Sequence, residues 1–188
     1  MKTIRNLSNS DISELTDFFL KLKAPTYYYW NRFGELYEES KARKTAEIQC
    51  NIKPADEIGW VYNEDNIIMG YAYLRFFPDK EIKKYTTSLG IVVADEYQNK
   101  GIGKKLMNEL LNYSKQNNYK KVWLATYTDN IRALKMYNNL GFEIEGIFMY
   151  DEYFGGKPRH VVSMALFLSD DCKNSKIERI NFIKQIEN

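Results

Sequence analysis

Apolar positions in this chain alternate between two periods. Ile12, Leu15, Phe18, Phe19 and Leu22 recur at helical spacing and predict a helix over Asp11 to Lys23. Asp11 with Glu14 reads as its capping box, and Pro25 marks its end. Ile102, Leu106, Leu110 and Tyr113 share one face of a second helix over Gly101 to Asn117. Runs rich in β-branched and aromatic residues predict strands at Thr3 to Leu7, Ile58 to Tyr62, Ile67 to Phe77, Thr86 to Ala94, Lys121 to Tyr127, Phe142 to Tyr153 and Arg159 to Leu168. Asn63-Glu64-Asp65-Asn66 turns one hairpin and Gly155-Gly156 a later one. A short helix spans Asp129 to Leu140, capped by Thr128 or Asp129 and stopped by Gly141. The charged segment Glu35 to Lys44 and the tail Ile177 to Ile186 read as further helices. Without repeats or a linker, the economical reading is one mixed α/β domain over 1–168, followed by a helical tail over 169–188.

Composition narrows the classes. A chain of 188 residues, 44% hydrophobic and 28% charged, can bury a proper core. A net charge of +2 is too weak to argue for nucleic acid. The two cysteines, Cys50 and Cys172, lack CxxC spacing, and His160 is the single histidine, so neither a metal site nor a disulfide framework is expected. The N-terminus has no signal-peptide core, and no apolar run reaches about 18 residues. A cytoplasmic protein without a membrane span is the expectation.

The chemistry concentrates at Gln98-Asn99-Lys100-Gly101-Ile102-Gly103, a loop that follows the apolar run Leu89 to Val93 and opens a helix. Unpaired N–H groups at a helix start favour anions, and glycines let backbone approach a bulky one. Lys100, Lys104 and Lys105 add local positive charge. The third glycine of a dinucleotide fingerprint is absent, since that position is Leu106, and no Walker loop is present. This leaves a phosphate-bearing ligand of another kind, or a structural turn.

Downstream residues separate these. Gln98-x-x-Gly101-x-Gly103, then Asn130-x-x-Ala133-x-x-x-Tyr137-x-x-x-Gly141-Phe142, with one helix and one strand between, resemble the acetyl-CoA-binding core of the GCN5-related N-acetyltransferase superfamily. The resemblance covers about half of the chain. It implies a central mixed β-sheet flanked by helices, with acetyl-CoA as co-substrate. It assigns the diphosphate to Gln98, Asn99, Lys100, Gly101, Ile102, Gly103 and Lys104. The pantetheine arm falls to the strand backbone at Ile91, Val92 and Val93, in a cleft left where that strand splays from the next, with Asn130, Ala133 and Tyr137 facing it. Gly90 is either a bulge point or a packing glycine.

By the same resemblance Tyr137 is the acid for a leaving thiolate, and a backbone N–H near Val93 holds the oxyanion. A phenol with pKa about 10 can serve a thiol of about 8.5. No base is identified: Glu57, Asp151, Glu152, His160 and a water chain are the alternatives. The acceptor side falls to Tyr27 through Phe33 and to Tyr150 through Arg159. Its aromatics, with Tyr28, Tyr29, Trp30 and Tyr153 as candidate substrate contacts, suit a cationic amine. These implications converge on an N-acetyltransferase acting on a small-molecule or peptide amine. A non-catalytic acetyl-CoA-binding module of the same fold is the alternative, and a homodimer through the late hairpin and tail is compatible with either.

Overall fold

A computed structural model describes residues 2–30, 38–78, 81–154 and 157–169. Seven strands form one sheet: β1 (Thr3–Asn6), β2 (Glu57–Glu64), β3 (Ile67–Arg75), β4 (Thr86–Val93), β5 (Lys121–Tyr127), β6 (Glu143–Phe154) and β7 (Lys157–Phe167). Their spatial order is β1-β2-β3-β4-β5-β7-β6. All neighbours run antiparallel except β4 and β5, which are parallel. The helices are α1 (Ile12–Leu20), α2 (Thr26–Trp30), α3 (Glu39–Asn51), α4 (Ile102–Gln116) and α5 (Ile131–Asn139). No helix among the described residues is long and apolar enough to cross a membrane.

Period-two alternation sorts the sheet's side chains between two cores. Leu89, Val122 and Leu124 pack with Leu106, Met107 and Leu110 of α4. Val61, Tyr71 and Val92 pack on the other face with Leu15, Phe18 and Phe19 of α1 and Ala42 and Ala46 of α3. The β2–β3 hairpin closes through Asp65 and Asn66, both at positive φ (49° and 63°), the two-residue geometry that Asn and Asp tolerate.

The N-terminal cap sits one turn earlier than the pattern suggests. Asp11 accepts the Ser8 N–H (2.8 Å), the Ser8 hydroxyl (2.9 Å) and a two-pronged bond from Arg5 (2.6 and 2.8 Å), so the box is Ser8–Asp11 and not Asp11–Glu14. The charged helix begins at Glu39 and runs to Asn51, well past Lys44. Its buried stripe is Ala42, Ala46 and Cys50, small residues that let α3 lie close on α1. The Gly155-Gly156 turn and the Ile177–Ile186 tail lie outside the described residues.

β6 carries a bulge between Phe148 and Glu152. There Tyr150 stands at φ 58°, and its N–H donates to His160 Nδ1 at 2.9 Å. The histidine thus closes the gap in the ladder that the bulge opens.

Candidate active site

Pairing between β4 and β5 stops early. Thr86, Thr87 and Ser88 match Lys121, Val122 and Trp123, and from Leu89 onward the two strands part. The gap is the floor of a cleft of about 1510 Å³ that passes between the sheet's two halves. Ala94 N–H donates to Met69 C=O on β3 (3.0 Å). Antiparallel pairing alternates, so the Ile91 and Val93 amides face the other way, toward the vacated β5 side. Ile91, Val92 and Val93 all line the cleft.

Gly90 shows no bulge: β3–β4 register runs unbroken from Gly70↔Val93 to Arg75↔Ser88. A Cβ at Gly90 would lie 2.4 Å from Tyr73 Cε1. Glycine is therefore a packing requirement, letting the Tyr73 ring lie flat over the strand at the cleft wall.

The cleft ends at the start of α4. The first helical bond runs from Lys105 N–H to Gly101 C=O (3.1 Å). The N–H groups of Ile102, Gly103 and Lys104 consequently stand ahead of the ladder, where helix geometry points them out of the end. Gly101, at φ 77°, has nothing within 4 Å of where a Cβ would stand. Asn99, Gly101, Ile102, Gly103 and Lys104 all line the cleft and form an open cradle for an anion. The Gln98 N–H is spent on Asp95 C=O (3.3 Å). Lys100 is not in the lining; its ammonium lies 5.3 Å over the Tyr97 ring.

α5 supplies the opposite wall with Asn130, Ala133 and Tyr137. Asn130 makes no side-chain cap bond to its helix; its amide donates to Thr126 Oγ1 at 3.1 Å. The helix stops in a Schellman arrangement: Gly141 at φ 90°, Gly141 N–H to Asn138 C=O and Phe142 N–H to Tyr137 C=O, each 3.0 Å. Tyr137 is 6% exposed, and burial pushes its phenol well above the usual range. Burial thus favours the protonated, uncharged phenol.

The other face of the cleft belongs to α2, α3 and the strand residues that point toward them. Tyr29 and Trp30 line it with Tyr73, Arg75 and Trp123. Trp30 packs edge-on against Tyr71 (5.7 Å) and Tyr73 (5.9 Å). Arg159 lies over both Tyr29 (5.9 Å) and Tyr127 (5.0 Å) and pairs with Asp129 at 3.1 Å. The Tyr28 side chain falls outside the described atoms. Tyr153 is 71% exposed and is not part of the cleft lining.

None of the carboxylates or the histidine considered as a base reaches the cleft lining. Glu57 is buried against Arg75 (2.9 Å), Glu152 accepts the Tyr127 hydroxyl, and His160 is occupied by the β6 bulge. Asp151 is exposed on β6. The lining carboxylates, Asp95 and Asp129, are both engaged by neighbours. Thr26, Tyr73, Arg75, Asp95 and Arg132 join the site without any motif to announce them. Strand alternation from Gly90 gives a partial signal for Tyr73 and Arg75; the others arrive through tertiary folding.

Residues 20–142 match the acetyltransferase (GNAT) family. A spermine/spermidine N(1)-acetyltransferase of Bacillus subtilis (strain 168) is 31% identical over 93 residues, which is 47% of this chain and 60% of that protein. A spermidine N(1)-acetyltransferase of Escherichia coli (strain K12) is 30% identical over 78 residues, 41% of this chain and 42% of the relative. The matched segments thus span about half the length of these curated relatives. Among solved structures, an N-acetyltransferase from Staphylococcus aureus Mu50 superposes with a TM-score of 0.73 at 18% identity, covering 90% of this chain and 99% of that one. A GNAT-superfamily phosphinothricin acetyltransferase from Sinorhizobium meliloti, in complex with acetyl-CoA, gives 0.75 at 18% identity, covering 90% and 89%. These likenesses establish the fold.

Proposed function

Because this chain belongs to the acetyltransferase (GNAT) family, we propose that it is an acetyl-CoA-dependent N-acyltransferase, moving an acetyl group to a primary amine of a small molecule or peptide by direct attack. One observation carries the reading: β4 and β5 separate after Ser88 and Trp123, next to the open amide cradle of α4. The residues present fit the co-substrate. A diphosphate suits the Ile102, Gly103 and Lys104 amides with the Lys104 ammonium beside them. An amide-bearing arm suits the Ile91 and Val93 edge, as an added strand would. Acetyl-CoA supplies the activated thioester.

The chain's own groups do the rest. Tyr137, kept protonated by burial, presents the one phenol of α5 to the cleft and gives its proton to the departing sulfur as the C–S bond breaks, and the proton shed by the newly acylated nitrogen returns to the phenol through water. The Val93 N–H faces the same space as a hydrogen-bond donor for developing negative charge. Tyr29, Trp30 and Tyr73 form an aromatic wall that suits an ammonium-bearing acceptor before it passes its proton to solvent water. The curated relatives are named for spermine and spermidine, which supports an amine acceptor of this class.

The same reading places the protein in the cytoplasm, in keeping with the free, buried Cys50. It also allows a homodimer, supported by exposed Ile147, Phe148 and Met149 on the edge strand β6, which sedimentation velocity tests. Thiol release from acetyl-CoA, measured against a panel of polyamines, amino acids and peptides, tests the central assignment. An enzyme releases thiol with at least one amine. A binding module of the same fold binds acetyl-CoA and releases none.

A further inference from the structure

The loop that offers its amides to the cleft grips the acceptor wall with its side chains. Asp95 Oδ2 accepts the Lys23 N–H at 2.9 Å, and Asp95 Oδ1 accepts the Thr26 hydroxyl at 2.7 Å. The same hydroxyl accepts from Gln98 Nε2 at 2.8 Å. Gln98 Nε2 also donates to Val93 C=O (3.1 Å), and its Oε1 accepts from Arg132 of α5. One glutamine side chain therefore joins β4, α5 and the first residue of α2. Three residues along α2, Tyr29 turns to Tyr127, and Trp30 seats against Tyr73.

We propose that Thr26, held by Asp95 and Gln98, is a positioning residue that couples occupancy of the α4 cradle to the order of the acceptor wall α2. This rests on the cradle being the acetyl-CoA site. An anion that fixes residues 98–104 also fixes the Gln98 and Asp95 side chains. Those side chains are the tether of α2, a five-residue helix too short to be stable alone. The cofactor then preorganises the wall against which the amine must lie. By linkage, an amine seated on α2 tightens acetyl-CoA binding by the same factor. Thr26 uses its hydroxyl as donor and acceptor at once, so valine removes both bonds while serine keeps them.

Hydrogen exchange of the whole protein, with and without saturating acetyl-CoA, tests this without knowledge of the acceptor. In the wild type, acetyl-CoA slows exchange at least fivefold in peptides covering 98–104 and in those covering 24–30. In Thr26→Val the protection at 98–104 persists and that at 24–30 is largely lost; Thr26→Ser restores it. Unchanged exchange in β2 and β3 confirms that the valine variant is folded, and if it is not, Thr26→Ala, which also removes the hydroxyl, serves the same comparison. Protection at 98–104 without protection at 24–30 in the wild type overturns the coupling alone, as does equal protection of 24–30 in Thr26→Val. Absence of protection at 98–104 overturns the cofactor assignment and the coupling with it.

Discussion

The rings of Tyr137 and Phe142 meet 5.8 Å apart at the C-terminal end of α5. They are the C3 and C″ residues of the Schellman stop, the pair whose apolar contact usually accompanies that motif. The Gly141-Phe142 dipeptide thus ends the helix where Tyr137 faces the cleft and packs a ring behind it. Phe142→Ala removes a 2% exposed side chain and is expected to cost about 3–5 kcal/mol of stability. Denaturant titration measures that cost. Turnover should fall beyond what the folded fraction explains, since Tyr137 loses its backing.

Gly90→Ala places a methyl group where Tyr73 now lies, at 2.4 Å from its ring. The ring must move, and Trp30, packed on it, moves too. Overpacking of this kind costs about 1–3 kcal/mol. The expected kinetic signature is a raised KM for the amine with acetyl-CoA affinity nearly unchanged, read by steady-state kinetics and calorimetry. A variant with both constants at wild-type values would remove Tyr73 from the acceptor wall.

Gly103→Val adds branches that start 3.3 Å from Met136 Sδ and 3.8 Å from Val93 Cγ2, in the lining of the cradle. Acetyl-CoA should bind roughly tenfold more weakly, about 1.4 kcal/mol. Calorimetry gives the number directly; unchanged affinity would mean that this loop does not hold the co-substrate.

Glu57 sets a pH dependence. Burial raises its pKa, and Arg75, at 2.9 Å, together with the Tyr71 hydroxyl offsets only part of that. The folded state then binds this proton more tightly than the unfolded one. The stabilising contribution is full below the unfolded value of about 4.5 and is lost as pH rises through the higher folded value. Arg75→Met leaves the carboxylate buried without its cation. It should destabilise at neutral pH, toward the low end of about 3–5 kcal/mol because Arg75 is itself half exposed. It should also carry the decline of thermal midpoint to higher pH. Adding Glu57→Gln should flatten that decline, and persistence of the slope in the double variant would exclude Glu57 as its source.

Much of this architecture is written in local pattern. β5 falls on Lys121–Tyr127 as its run of β-branched and aromatic residues predicts, and α4 lies within one residue of its expected bounds. The glycines ahead of a helix make the open turn at the start of α4 legible, whereas Tyr137 stands out from an ordinary core aromatic only through the resemblance of its segment to the acetyltransferase pattern. α3 is harder to read, since Ala42, Ala46 and Cys50 make a buried stripe too small to stand out from the charges around it. α2 shows no period at all; it is helical because Thr26 and Trp30 are held by partners far away in sequence. The same holds for Asp95, whose bond to Thr26 joins residues 69 apart. Lys100 reads as a phosphate ligand from its place in the loop, yet Asn99, at φ 60°, precedes it, and its ammonium lies over Tyr97.

In the proposed reaction, acyl transfer occurs in the β4–β5 cleft with Tyr137 as proton donor. Its most direct test is Tyr137→Phe, assayed for turnover by thiol release with the best amine acceptor and for acetyl-CoA affinity by calorimetry. In this variant kcat is expected to fall by about 10²–10⁴-fold while the dissociation constant stays within about twofold. Turnover equal to that of the wild type would remove Tyr137 from the reaction.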